Sequence, residues 1–179
     1  AELAKGGPPA AAEAARVVGW AASIWLTILV LAGILFSDSV VAVFAPGFTT
    51  DPEKLALPVQ LTRLTFPYLL LVGLAAWAMG TLHTFGRFAA PALGPVLLNV
   101  AIIGAVFALT PYLTRPIHAL VIGVLVGGFL QFVVQWPSLR AIGIKLRGAT
   151  SISSHPAIRR VGALLVPTVI GGAVYQINI

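Results

Sequence analysis

The sequence predicts an all-α integral membrane protein, a polytopic helical bundle. Three observations carry this. Of 179 residues, 59% are hydrophobic and only 9% are charged, where a water-soluble domain carries about 25% charged residues. Mean hydropathy is +1.00, too apolar for a chain that must cover its surface with polar groups. The apolar residues also run in stretches of about 20, the length that crosses a bilayer as a helix.

Four complete spans are expected in order, followed by the start of a fifth. The first covers Val17–Phe36, and its apolar character resumes from Val40 to Phe44. "SDS" at Ser37–Ser39 interrupts it, with Asp38 expected to cap a short interfacial helix that ends at "APGF". "TTDPEK" at Thr49–Lys54 reads as a helix start, with Asp51 as N-cap, Pro52 at the first helical position and Glu53 in the first turn. The second span then covers Leu57–Leu82, with Pro67 inside it able to kink the helix and free carbonyls.

A tight turn follows, in which Gly86 permits the reversal and Pro91 is expected to restart the chain as a third span, Pro91–Leu109. "TPYLTRP" at Thr110–Pro116 is a proline-bounded turn with an interfacial tyrosine. The fourth span covers Ile117–Trp136. "RAIGIKLRGATSISSHP" at Arg140–Pro156 is the longest polar connector, and a fifth apolar run begins near Ile158 and continues to Ile179. The chain opens on Ala1 and stops inside that run, so it is expected to be part of a longer protein without a signal peptide.

The charges orient this topology. The chain carries 11 Lys+Arg against 5 Asp+Glu. The connector between Arg140 and Arg160 holds Arg140, Lys145, Arg147, Arg159 and Arg160 and no acid, which marks it as cytoplasmic. Alternating backwards puts Arg87, Lys5 and Arg16 on the same side, and Arg115 and Lys54 outside. Eight bases then lie inside and two outside, leaving Arg63 aside. The bases fall between apolar runs with no basic-aromatic groove pattern, so nucleic acid is excluded as a partner. The expected organisation is a cytoplasmic segment (1–16), a transmembrane lobe (17–139), a basic cytoplasmic linker (140–157) and the first helix of a second lobe (158–179).

Few residues carry chemistry. Cysteine is absent, so there is no disulfide and no thiolate metal site. His83, His118 and His155 fall in separate turns, and the sequence has no HExxH, Walker loop, GxSxG, GxGxxG or paired carboxylates. No enzyme, cofactor or metal is expected. Arg63 lies one to two turns into the second span, where an arginine is costly, roughly 2.5–3.5 kcal/mol at the bilayer centre. It is read either as a cavity cation for an anionic substrate or as a snorkelling side chain. Asn99, Gln131, Gln135, Gln176 and Asn178 are amides inside spans, which must face other helices or water. They either bond between helices or line a polar path. Gly123-x-x-x-Gly127 predicts close helix packing, and Gly104, Gly171 and Gly172 also suit it. Pro95 and Pro167 sit inside spans, as in broken transporter helices.

Several strings share a resemblance, in order and with matching spacing. "APGF", "LTRLTFPYLLL", "TFGRFAAPALGPVLLNV", "VGGFLQFVVQWPSLRAIG" and "LLVPTVIGGAVYQIN" resemble the bacterial MurJ (MviN) proteins. These are lipid II flippases of the multidrug/oligosaccharidyl-lipid/polysaccharide exporter superfamily. The resemblance implies fourteen spans in two six-helix lobes plus two added helices, of which this chain would supply spans three to six and the first part of span seven. It implies a bacterial inner-membrane transporter that moves lipid-linked peptidoglycan precursor to the outer leaflet by alternating access, in contact with the bilayer and with the remaining helices of the parent protein. The cationic cavity residues of the family lie mainly in its first two spans and its eighth, outside this sequence. Arg63, Asn99, Gln131 and Gln176 are the substrate-pathway candidates. Two rival readings are another exporter of the superfamily and a membrane scaffold without transport. A cationic-drug exporter tends to need acids inside its spans, and these hold none except Asp38 near an outer end.

Overall fold

The computed structural model describes residues 7–45, 47, 52–144 and 163 of the chain. Asp51, Lys145, Arg147, Arg159, Arg160, Pro167, Gly171, Gly172, Gln176 and Asn178 lie outside the described residues, as does the fifth span apart from Ala163. The described residues contain no β-strand. Four stretches among them are long and apolar enough to cross a membrane: Ala10–Leu35, Lys54–Thr84, Ala89–Tyr112 and Ile117–Ala141.

The helices are α1 (Gly7–Leu35), α2 (Ser37–Phe44), α3 (Pro52–Thr65), α4 (Pro67–Thr84), α5 (Ala89–Ala92), α6 (Gly94–Leu109) and α7 (Ile117–Ala141), with a 3₁₀ turn at Thr110–Tyr112. The chain divides into two compact units. One comprises Ala1–Ala21 and Ile142–Ile179; the other is Ala22–Ala141. In the first, Ala14, Val17 and Ile144 are buried. The second contains every element from the latter half of α1 to α7.

The four complete spans lie where the sequence predicts them, and the proline at 67 divides the second. Its ring removes the amide that would bond the Arg63 carbonyl, and α3 stops at Thr65. Phe66 donates to Thr62 at 2.9 Å and accepts from Leu69 at 2.9 Å, a tightened turn that joins α3 to α4. The Phe66 ring lies on Gly33 of α1, so closely that a Cβ there would overlap it.

Pro91 does not restart the third span. The restart comes in two steps: α5 begins at Ala89 and places Pro91, buried, in its third position. The long helix α6 opens at Gly94 with Pro95 in its first turn. Pro95 is therefore a helix-start proline, where a missing amide costs nothing, and not a break within the span. The preceding turn closes as a Schellman motif. Gly86 has φ +70°, its amide bonds the His83 carbonyl at 3.0 Å and the Arg87 amide bonds Leu82 at 2.9 Å.

The interior of Ala22–Ala141 is made of small residues. Ala75, Ala78 and Ala119 are buried, while Trp25, Phe36, Phe44 and Phe107 point outward. This inverts a soluble core and fits helices packed within lipid, where close backbone approach replaces the hydrophobic drive. Gly123 and Gly127 face α6: a Cβ on Gly123 would lie 2.7 Å from Ile102 Cα, and one on Gly127 would lie 2.9 Å from Leu98 Cα. Gly128 faces α4 and abuts Tyr68 and Leu71. The GxxxG expectation thus holds, and the next glycine extends it to a second neighbour. Gly104 differs: it is exposed and nothing lies within 4 Å of a Cβ placed there. The contacts make α7 antiparallel to α6 and parallel to α4.

Adding a methyl at Gly127 forces backbone apart, so Gly127→Ala is expected to lower stability of the intact protein by about 1–3 kcal/mol. Gly80, with nothing within 4 Å of its Cβ position, is the control: Gly80→Ala is expected to be neutral or to stabilise by up to ~1 kcal/mol. Thermal unfolding in detergent separates the two.

Candidate functional site

Polar groups are scarce in this bundle, and they gather at two places. The first lies where α1 gives way to α2. The junction turns at Phe36, which leaves Ser37 fully buried and Asp38 exposed in the first turn of α2. Asp38 is not the helix cap: Phe36 occupies the N-cap and no side chain bonds there. Its carboxylate instead accepts from Arg63 Nη2 at 2.5 Å. Arg63 Nε donates to Ser37 Oγ at 2.6 Å. A guanidinium presents its donors in a fixed planar fork, so these two bonds fix the plane of the Arg63 head while leaving it 48% exposed. Arg63 is therefore neither a lone cavity cation nor a purely snorkelling chain; it ties α3 to α2.

An open groove of about 510 Å³ runs beside this pair. Leu55, Val59 and Leu64 of α3 give it an apolar wall, and Gln60 adds an amide. These residues share one face of α3 with Arg63, by their spacing of four and five.

The second place is the seam of α7 with α4 and α6. Gln135 is 2% exposed; its Nε2 donates to the Ala75 carbonyl of α4 at 3.2 Å and to the Gln131 carbonyl at 2.9 Å. Its Oε1 has no partner among the described residues. Gln131 is also buried and lies against Gly94 of α6, 3.6 Å from the place a Cβ would take. Bonding between helices is thus the role Gln135 takes, and Gln131 packs beside it. Asn99 is on the exposed side of α6. No hydrogen bond or ion pair joins Arg63, Asn99 and Gln131 to one another: each belongs to a different part of the bundle.

The orientation charges that are described sit at helix ends. Arg87 follows the Schellman turn, and Arg140 occupies the last turn of α7, one residue before the helix ends, so it is helical and not part of an irregular connector. Its guanidinium stacks over Trp136, one turn earlier, at 5.1 Å. Because α4 and α7 run parallel, Arg87 and Arg140 share one end of the bundle, and Arg115 lies at the other. The described residues hold no group of His, Asp and Glu able to bind a metal.

The comparison with known proteins now bears on this arrangement. The family described as "Lipid II flippase MurJ" matches residues 3–179. The chain belongs to that family. Among its relatives, the lipid II flippase MurJ of Burkholderia cenocepacia is 38% identical over 91% of this chain. The probable lipid II flippases MurJ of Vibrio cholerae and Haemophilus influenzae are 34% and 33% identical over 87% and 86% of it. The chain spans 31% of the length of each of these relatives. A family member with these spans is a multi-pass membrane protein.

Gln135 supplies a test of structural against pathway roles. Gln135→Met removes one interhelical hydrogen bond, of about 0.5–1.5 kcal/mol, but also removes the orphaned buried Oε1, whose cost is about 1–3 kcal/mol. Stability of the intact protein is expected to change by less than about 1 kcal/mol, and transport to persist. Gln135→Glu, which buries a charge, is expected to unfold the bundle or deplete it from the membrane. Thermal unfolding and membrane abundance check both.

Proposed function

We propose that this chain is a segment of a lipid II flippase, contributing spans of one lobe to a transporter that carries lipid-linked peptidoglycan precursor from the inner to the outer leaflet. Family membership over residues 3–179 carries the reading. The task is physical: a polar headgroup must cross about 30 Å of hydrocarbon while its tail stays in lipid. Transport of this kind needs no bond to be broken in the cargo, and we read the protein as a transporter and not an enzyme.

Two features support a part in alternating access. The α4–α6–α7 unit is joined by backbone-close glycine contacts, which suits a body that moves whole. The chain breaks at Phe66–Pro67 and at Phe88–Leu93, where backbone outside regular helix can absorb rotation. We place the main substrate charges elsewhere in the parent protein, because Arg63 is neutralised by Asp38 and Gln131 is packed. Of the pathway candidates, Asn99 is the one on an open helix side, and we assign it to a surface that meets water or another polar helix. Gln176 remains a candidate on the same sequence grounds. We place the protein in the bacterial inner membrane with the Arg87 and Arg140 end, and with it the 140–157 linker, in the cytoplasm.

The function is tested with the intact protein in cells depleted of their own lipid II flippase. Survival together with lipid II accessible at the outer leaflet is expected; stable, inserted protein without either contradicts the reading. For orientation, the absence of native cysteine allows single substitutions. Tyr112→Cys is expected to react with a membrane-impermeant thiol reagent in intact cells, and Phe88→Cys only after permeabilisation.

A further inference from the structure

The groove beside Arg63 and Asp38 is not explained by moving a substrate headgroup. We propose that it is a resident-lipid site. It would bind a zwitterionic phospholipid with a primary ammonium, its phosphate on Arg63, its ammonium on Asp38 and its upper acyl chain along Leu55, Val59 and Leu64.

Depth is the first argument. Gly128, near the middle of α7, is level with Tyr68 and Leu71 of α4. Half the hydrocarbon thickness is about 15 Å, or ten helical residues. Counting back from Tyr68 and Leu71 puts the hydrocarbon boundary near residues 58–61 of α3. Arg63 lies within a turn of that boundary, at headgroup reach for its long side chain. The groove wall follows the same helix face.

Valence is the second. Arg63 spends one donor on Ser37 and one on Asp38, and three of its five N–H groups remain for phosphate oxygens. Asp38 accepts at Oδ2 only, among the described residues, and is 61% exposed, so Oδ1 is open to a donor. An ammonium offers three donors to such an acceptor.

Charge complementarity is the third. The pair is neutral in sum. A bare phosphate or diphosphate would meet the carboxylate as well as the guanidinium and gain little. A headgroup with both signs on one short linker satisfies both partners at once. The same reasoning separates this groove from the path of an anionic cargo, and the site stands whether or not the flippase reading does.

The test is native mass spectrometry of the intact protein in detergent, titrated with phosphatidylethanolamine, phosphatidylglycerol and phosphatidylcholine of matched acyl chains. Phosphatidylethanolamine is expected to remain bound at several-fold lower lipid concentration than either competitor. Asp38→Asn is expected to reduce that preference over phosphatidylglycerol at least threefold. Ala56→Trp, which fills the groove and leaves both charges in place, is expected to remove the tightly held lipid. Melting temperature in detergent verifies that each variant is folded, and Ala56→Trp decides the matter if Asp38→Asn is not. Phosphatidylglycerol or phosphatidylcholine retained as well as phosphatidylethanolamine overturns the proposal, since neither offers N–H donors to Asp38. So does a lipid adduct unchanged by Ala56→Trp.

Discussion

The backbone-close approach of α7 to its neighbours is the constraint on which the rest of the bundle depends. Gly123 and Gly127 bring α7 against the backbone of α6, and Gly128 brings it against Tyr68 and Leu71 of α4. In lipid there is no hydrophobic drive to press helices together, so contact must come from dispersion and from polar groups that have no other partner. Glycine supplies the first by removing the side chain that would hold the helices apart. Gln135 supplies the second by reaching the Ala75 carbonyl. Once α7 is seated, the direction of α4 and α6 follows, and so does the end of the bundle that gathers Arg87 and Arg140.

The other elements attach to this unit through less regular joints. Phe66 packs on Gly33 and Gly73 receives Leu26, which sets the latter half of α1 antiparallel to α3 and α4. The Arg63–Asp38 pair then holds α2 against α3. In water such an exposed pair contributes only about 0.2–1 kcal/mol. At the edge of hydrocarbon the lower effective dielectric makes the same contact count for more. Backbone hydroxyl bonding completes the accounting: Thr27, Thr65 and Thr84 each donate to the carbonyl four residues before, which hides a polar group in a helix that faces lipid.

How much of this is legible in the sequence depends on the kind of signal. The four spans are legible because apolar runs of the right length end at Pro, Gly and charge. The break at Pro67 is legible because a proline cannot donate. The sidedness of a helix is not. When a helix is apolar all round, periodicity carries no information about which face meets protein. Gly104 therefore reads like Gly123, yet one is bare and the other is buried, and Asn99 reads like Gln131 for the same reason. Asp38 and Arg63 are 25 residues apart, and nothing local announces that the reversal at Phe36 brings them together. The two-step restart at Ala89 and Gly94 is equally non-local, since Pro91 and Pro95 are both acceptable helix starts. The family resemblance in the ordered strings was the most specific signal, and the family match over residues 3–179 agrees with it.

The α6–α7 register is the central claim, and a cysteine cross-link tests it most directly. A Cβ at position 94 would lie 4.0 Å from that of Gln131, within the range of about 3.5–4.5 Å that a disulfide spans. The intact protein has no competing thiol among these residues. Gly94→Cys with Gln131→Cys, mildly oxidised in membranes, is predicted to become protected from maleimide–polyethylene glycol and to be released by reductant. Gly104→Cys with Gln131→Cys is predicted to remain fully modifiable. Free thiols at 94 and 131 after oxidation would contradict the register and the glycine seam built on it.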